Sequence, residues 1–275
     1  MDAETTRFID NIVDRRIIVA FDLFGTLLST DSISKKLAEF YAEKAGGIAT
    51  AWRRYQLEYT WRLNSMGRFE PFSSVTRKSL LHALSESSIP HNDSEITQIL
   101  KSYASLSPFP DVPSSLESIK STKHIQSIIF TNGTSQMARD AVINTPELQV
   151  FKGVKEKEAY LSADEIEKYK PHPMMYQYLA AKMGKSIGLG ERHGGIDEVV
   201  LVSANPFDIV GAQAVGMTGV WVDRAGNGWH DALVEDGPKF VIKSLEELKG
   251  VLEGILEAKG KVWKEVAEEN KRDED

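Results

Sequence analysis

Three apolar runs in this sequence end in reactive side chains. Asp22 lies near the end of "RIIVAFDLF" (Arg16 to Phe24), and Thr131, Asn132 and Gly133 close "IQSIIFTNG" (Ile125 to Gly133). Ser203, Asn205 and Asp208 sit in or just after "EVVLVSANP" (Glu198 to Pro206). A further candidate, Lys170, lies in "KYKPHPMMY", just before a helical pattern. One carboxylate, small hydroxyls, an amide, a lysine and a second carboxylate are parts enough for a carboxylate nucleophile. The ammonium would hold it ionised, the donors would take an anion, and the second acid would activate water. Singly, each residue has a plainer explanation. A strand-end Asp usually caps a turn, Thr-Asn-Gly is a common turn, Lys before Pro is usually solvated, and "SANPFD" reads as a helix N-cap. Their order along successive runs carries the reading.

To converge, these groups must share one edge of a sheet. The three runs and a fourth, "TGVWVDR" (Thr218 to Arg224), are rich in Ile and Val and are separated by helical stretches. That pattern predicts parallel strands buried on both faces. Residues 111–124 read as a capped helix leading into the second run, and 207–216 as the helix between the third and fourth. The fold class is therefore α/β, a doubly wound Rossmann-like parallel sheet core, with its reactive groups at the carboxyl ends of the strands.

Residues 31–106 differ. They show no strand pattern and four helical ones, "SISKKLAEFYAEKA", "TAWRRYQLEYTWRLNSM", "FSSVTRKSLLHALSES" and "NDSEITQILKSYASL", punctuated by Gly46–Gly47, Gly67 and Pro90. This predicts an inserted all-helical cap domain, four-helix-bundle-like, over the mouth of the sheet. The catalytic core is then 1–30 and 107–275, with Pro108 and Pro110 marking the return. The Gly-rich stretch Gly184 to Gly195 reads as a surface loop. The C-terminus reads as a helix fading into a charged tail that frays from Glu265.

The 275 residues can bury a full core. The net charge of -7 gives no general attraction for nucleic acid or an anionic membrane, so an anionic substrate needs local Arg or Lys. No cysteine is present, which excludes disulfides, thiolate catalysis and Cys-ligated metals. No apolar run reaches spanning length, and the N-terminus has no apolar signal region. The chain reads as cytoplasmic.

The order Asp22, Thr131, Lys170, Asp208 resembles the haloacid dehalogenase superfamily. There an Asp after the first strand is the nucleophile, Ser/Thr follows the second, Lys comes next and acids follow a later strand. Most of that superfamily are phosphatases, which carry a second Asp two residues after the nucleophile and an acidic later motif that holds Mg²⁺. Here those places hold Phe24 and the S-x-N-x-x-D of Ser203, Asn205 and Asp208. Both departures point to the L-2-haloacid dehalogenase (type II) branch. A halide leaves as a stable anion and needs no proton, so an acid at position 24 would have no task. "WRRYQLEYTW" (Trp52 to Trp61), "KPHPMMY" and "VDRAGN" (Val222 to Asn227) are similar to that branch as well. A Mg²⁺-dependent phosphatase or phosphonatase of the same superfamily is the alternative, and a catalytically silent binding protein on this fold is another.

The resemblance implies hydrolytic dehalogenation of short L-2-haloalkanoic acids to D-2-hydroxy acids through an aspartyl ester, without metal or cofactor. Asp22 is the implied nucleophile, paired with Lys170 and oriented by Thr26. Asp208 activates water, with Ser203 and Asn205 positioning Lys170, Asp208 and the water. The halide falls to Arg53 and Asn132, with the ring edge of Phe207, and the substrate carboxylate to Thr131 and the N–H groups of Leu23 and Phe24. Phe24, Leu57, Phe72 and Tyr176 are the expected apolar pocket. Phe207 stands where some relatives have Trp, Thr131 where many have Ser, and His172 is expected on the surface. The implied partners are a small anionic 2-haloacid, water and a second copy of the chain.

Overall fold

β1 (Ile17–Phe21) is Ile-Ile-Val-Ala-Phe, buried at every position as a strand covered on both faces must be. The computed structural model describes residues 15–152, 159–186 and 194–273. These form one six-stranded sheet with β1 at its middle, in the order β3-β2-β1-β4-β5-β6. The others are β2 (Ile125–Thr131), β3 (Tyr160–Ser162), β4 (Val199–Ser203), β5 (Thr218–Val222) and β6 (Phe240–Ile242), and every pairing is parallel. Phe21 lies opposite Ile129 of β2 and Val202 of β4, so Asp22 emerges beside Phe130 and Ser203. The chain builds outward through β2 and β3, then returns to the other side of β1. The carboxyl end of β1 is therefore the point where strand order reverses and a crevice opens.

Between β1 and β2 the chain is helical: α1 (Asp31–Tyr41), α2 (Ala45–Ser65), α3 (Phe72–Glu86) and α4 (Asp93–Lys101). Ile48, Trp52 and Leu63 of α2, Leu80, Ala83 and Leu84 of α3, and Ile96 and Ile99 of α4 are buried in this cap. The Trp52 indole N–H donates to the Thr76 carbonyl at 2.8 Å, which ties α2 to α3. α4 opens with a reciprocal cap between Asn92 and Glu95. Where the chain enters and leaves the cap, its two passages pair: Ser29 N–H donates to Ser107 O and Phe109 N–H to Leu27 O.

The remaining helices are α5 (Val112–Lys120), α6 (Ser135–Asn144), α7 (Pro173–Lys182), α8 (Pro206–Ala214) and α9 (Leu248–Asp273). Four differences from the sequence-based expectation stand out. The strands stop before the turn residues the apolar runs include. β3 and β6 were not anticipated, because three residues are too few to display an alternation. Gly46 and Gly47 do not break the cap helix but lie in the first turn of α2, and the break falls at Ala42, whose φ is 42°. The charged C-terminus is helical through Asp273. Its inner face is anchored by Leu248, Leu252 and Ile255, and the Trp263 indole donates to Glu198 at 2.7 Å. Of the Gly-rich stretch, residues 187–193 lie outside the described residues, while its ends pair, Ser186 N–H donating to Gly194 O. No described helix is long and apolar enough to cross a membrane.

Candidate active site

Asp22 is met only by donors. Gly25, with φ 86°, makes the tight turn after β1 that brings Thr26 back over it. Thr26 Oγ1 donates to Asp22 Oδ2 at 2.8 Å and accepts the Ala204 N–H at 3.0 Å, which ties the turn to the end of β4. Asn205 Nδ2 donates to the same oxygen at 2.8 Å, and Lys170 Nζ reaches Oδ1 at 2.9 Å. Asp22 is 5% exposed, so this carboxylate is oriented and largely dry.

Lys170 is wholly buried, and its ammonium uses all three protons: on Asp22, on Asp208 Oδ2 at 2.6 Å, and on the Phe130 carbonyl at 2.9 Å. Burial works against the charged amine, but two carboxylates overcome it and carry its pKa above the usual lysine value. Two acids share that one cation. Burial pushes the Asp208 carboxyl up; Lys170 pulls it partly back, and Asp22 raises it again. Tyr176 donates to Asp208 Oδ1 at 2.9 Å, and its phenol is held far above its ordinary pKa by burial and by that neighbour. Asp208 is thereby oriented from two sides.

Several side chains meet other partners in the fold than their sequence positions suggest. Asn205 was expected beside Lys170 and Asp208; it instead donates to Asp22 and accepts Arg53 Nη2 at 3.0 Å. Ser203 Oγ accepts the Asn205 N–H at 3.1 Å, shaping the turn that delivers Asn205. Asn132 was expected on the halide, but its side chain brackets the backbone of Lys170, accepting from N at 2.8 Å and donating weakly to O at 3.4 Å. Tyr176 leaves the expected apolar pocket. It comes from α7, behind Lys170, packs edge-on against Phe130 and is buried under Asp208. Thr131 Oγ1 accepts the Gly133 N–H at 2.9 Å, and partly exposed His172 is the N-cap of α7, its ring accepting the Met174 N–H.

The apolar side is built around Phe24, which stacks on Phe72 (centroids 6.2 Å) and meets Tyr103 edge-on at 5.9 Å. A Cβ on Gly133 would come within 2.7 Å of the Phe24 ring, so the glycine is what admits phenylalanine here. Amides of Leu23 and Phe24 have no acceptor among the described residues. Above them, one stripe of α2 faces the crevice at helical spacing: Arg53, Leu57, Trp61 and Asn64. Arg53 reaches Asn205, Trp61 meets Phe207 edge-on at 5.7 Å, and half-buried Leu57 lies one turn from each. Sequence reading missed Gln56, wholly buried, which accepts from Arg53 Nη1 at 2.9 Å and donates to Thr76 and Tyr103. Its spacing of three from Arg53 was the available signal. Asn64, also missed, had the same kind of signal, three residues beyond Trp61 on one helix; Tyr103 and Tyr169 carry no comparable one.

Residues 18–216 match the family of haloacid dehalogenase-like hydrolases. The chain is 30% identical to haloacetate dehalogenase H-2 of Moraxella sp. (strain B), over 84% of this chain and 95% of that one. It is likewise 30% identical to (S)-2-haloacid dehalogenase 4A of Burkholderia cepacia, over 78% of this chain and 87% of the relative. Among solved structures it resembles L-2-haloacid dehalogenase from Xanthobacter autotrophicus with chloropropionic acid covalently bound. The TM-score is 0.72 at 25% identity, covering 87% of this chain and 99% of that one. With the parallel sheet, the helical cap and the aspartate at the switch point, these likenesses agree on one assignment: the chain belongs to the haloacid dehalogenase-like hydrolases, in their L-2-haloacid dehalogenase branch.

Proposed function

We propose that this hydrolase removes halide from short L-2-haloalkanoic acids, giving D-2-hydroxy acids with inversion. The observation that carries the proposal is the pairing of an Asp22 carboxylate held by donors with an aromatic wall at Phe24. In the first step an Asp22 oxygen attacks carbon 2 from behind. The carbon–halogen bond breaks, the halide leaves with its electron pair, and an ester joins Asp22 to the substrate. In the second, water attacks the ester carbonyl, Asp208 takes its proton, and the hydroxy acid leaves as Asp22 is restored. The cap, residues 31–106, brings Arg53 over the crevice to receive the halide, with Phe207 beside it. Thr131 and the free amides of Leu23 and Phe24 hold the substrate carboxylate. No step of this scheme requires a metal: Phe24 stands where the phosphatases of the superfamily carry a general acid, Asn205 stands in the later motif that in them is acidic, and the Asp22 carboxylate already accepts from Thr26, Asn205 and Lys170.

The reading is tested by halide release from racemic 2-chloropropionate, with and without EDTA. Release unaffected by EDTA, with the L form consumed and D-lactate formed, is the expected result. Mg²⁺-dependent hydrolysis of p-nitrophenyl phosphate without halide release would overturn it. Arg53→Ala is expected to lose more than ~2 kcal/mol of transition-state stabilisation, as for a preorganised donor facing a developing anion. An effect within threefold in kcat/KM would reduce Arg53 to packing, since about 1.4 kcal/mol corresponds to a tenfold change.

Asp208 also sets a pH dependence. Its carboxyl is raised by burial, so the protonated form, which cannot take a proton from water, persists above the ordinary carboxylate range. Ester hydrolysis should therefore fail, as pH is lowered, at a higher pH than a solvated aspartate would allow. Stopped single turnovers should show protein carrying the substrate's mass on the acid side, and Asp208→Asn should carry it at every pH. An acid limb in the usual carboxylate range, with no adduct in the variant, would remove Asp208 from the water step.

A further inference from the structure

Tyr169, the residue before Lys170, is enclosed by the cap although its chain belongs to the sheet domain. It is wholly buried, its ring lies against Phe69 (centroids 5.2 Å) and Phe72 (6.1 Å), and its hydroxyl donates to the Glu70 carbonyl at 2.5 Å. Its backbone is held by Asn64 of α2. Asn64 Nδ2 donates to Tyr169 O at 2.7 Å, and Asn64 Oδ1 accepts Tyr169 N–H at 3.0 Å. A side-chain amide presents one donor and one acceptor side by side, so it can pair with both groups of one residue as a neighbouring strand would. Asn132 does the same for the next residue, Lys170, from the sheet side. Two asparagines, one from each domain, thus grip consecutive residues of one short segment.

We propose that Asn64 is a positioning residue through which the docked cap seats Lys170 between Asp22 and Asp208. The Lys170 ammonium has three partners at 2.6 to 2.9 Å, and no slack remains along its side chain. A displacement of Tyr169 is therefore passed to the ammonium. Asn64 lies on the same face of α2 as Arg53 and Trp61, so any tilt of α2 that withdraws Arg53 from Asn205 also pulls on Tyr169. The cap then does more than cover the crevice: its seating and the alignment of the nucleophile's cation are one event. The inference rests on the reading of Lys170 as the lysine of the hydrolytic site.

The test uses the full chain with Asn64→Ala and Asn64→Asp. The aspartate keeps the shape and the acceptor for Tyr169 N–H but replaces the donor to Tyr169 O with a second acceptor. Both polar groups of the Asn64 side chain are engaged on the Tyr169 backbone, so the effect should fall on kcat, by about ten- to a hundredfold, the cost of a slightly misplaced catalytic group. KM on L-2-chloropropionate should stay within about threefold. The alkaline limb of the kcat profile should move to lower pH, and the Lys170 ammonium resonance, followed by ¹⁵N NMR, should shift. Leu84→Ala, which hollows the cap between α3 and its neighbours without reaching Tyr169, should lower Tm and leave kcat and the pH profile unchanged. Asn64 variants that behave like Leu84→Ala overturn the proposal. Should Asn64→Ala fail to fold, Asn64→Asp decides alone. If the wild-type chain releases no halide, the dehalogenase reading fails by itself, and the resonance still judges the clasp: unmoved in Asn64→Asp, it sinks it.

Discussion

Asp22→Asn should abolish halide release while leaving the fold intact. The amide has the shape of the carboxylate, and its oxygen can still accept from Thr26 and Asn205, the two donors that now reach Oδ2 at 2.8 Å. Lys170 keeps its closer partner, Asp208, and the Phe130 carbonyl. What is lost is the nucleophile, because a neutral amide oxygen does not displace halide from carbon. Removing a nucleophile from a site whose parts act as a unit costs on the order of 10⁴-fold or more in kcat. That corresponds to at least about 5 kcal/mol of the barrier. Chloride release and thermal melting on the same preparation separate the two effects. A variant that melts like the parent and turns over nothing fits the scheme; one that retains turnover shows that another group attacks.

Lys170→Met carries the second large effect, and there stability and activity should fall together. The lysine is the sole cation between Asp22 and Asp208 among the described residues, and all three groups are at most 5% exposed. Deleting one member of a buried charge cluster leaves the others uncompensated, at a cost of about 3–5 kcal/mol. The loss should depend on pH in a definite direction. Asp208 already has its carboxyl raised by burial, and without Lys170 nothing offsets that. A group whose folded-state pKa exceeds its unfolded value favours the folded chain below the unfolded pKa, and that contribution is lost as pH rises through the folded one. The variant should therefore melt higher at about pH 5 than at about pH 7.5, and its deficit against the parent should narrow in acid. A deficit constant across that range would mean that the cost lies in packing, not in unpaired charge.

Much of the sheet was legible because a parallel strand buried on both faces reads as a continuous apolar run: β1 and β4 are buried throughout, and β2 and β5 are apolar and buried over Ile128–Phe130 and Val220–Val222. β3 and β6 were not, since three residues cannot show a period; they are strands because neighbours offer them partners. In the cap, four helical patterns survived with shifted ends, and the Gly46–Gly47 break did not. Two glycines in a first helical turn cost little when the residues that follow them bury Ile48 and Trp52.

The candidate site divides along the same line. Asp22, Lys170, Asp208 and Asn205 could be named because each lies beside a feature with its own local signature: a strand end, a Lys-Pro, a helix start. The class of chemistry was legible in residue type alone, since Phe24 cannot donate a proton wherever the fold puts it. Who touches whom was not. Asn205 reaches Asp22 across 183 positions, Asn132 brackets Lys170 across 38, and Asn64 grips Tyr169 across 105. Such contacts depend on strand register and on how the cap lies over the sheet edge, which a single chain's spacing does not encode. The amino-acid sequence by itself indicated the fold class through local periodicity and offered Asp22, Lys170 and Asp208 as candidate reacting groups through residue type, while the branch followed from the resemblance of its motifs to a known family. The tertiary structure alone decided which amide meets Asp22 and which holds Lys170, because an asparagine's contacts are set by the partners that packing brings to it.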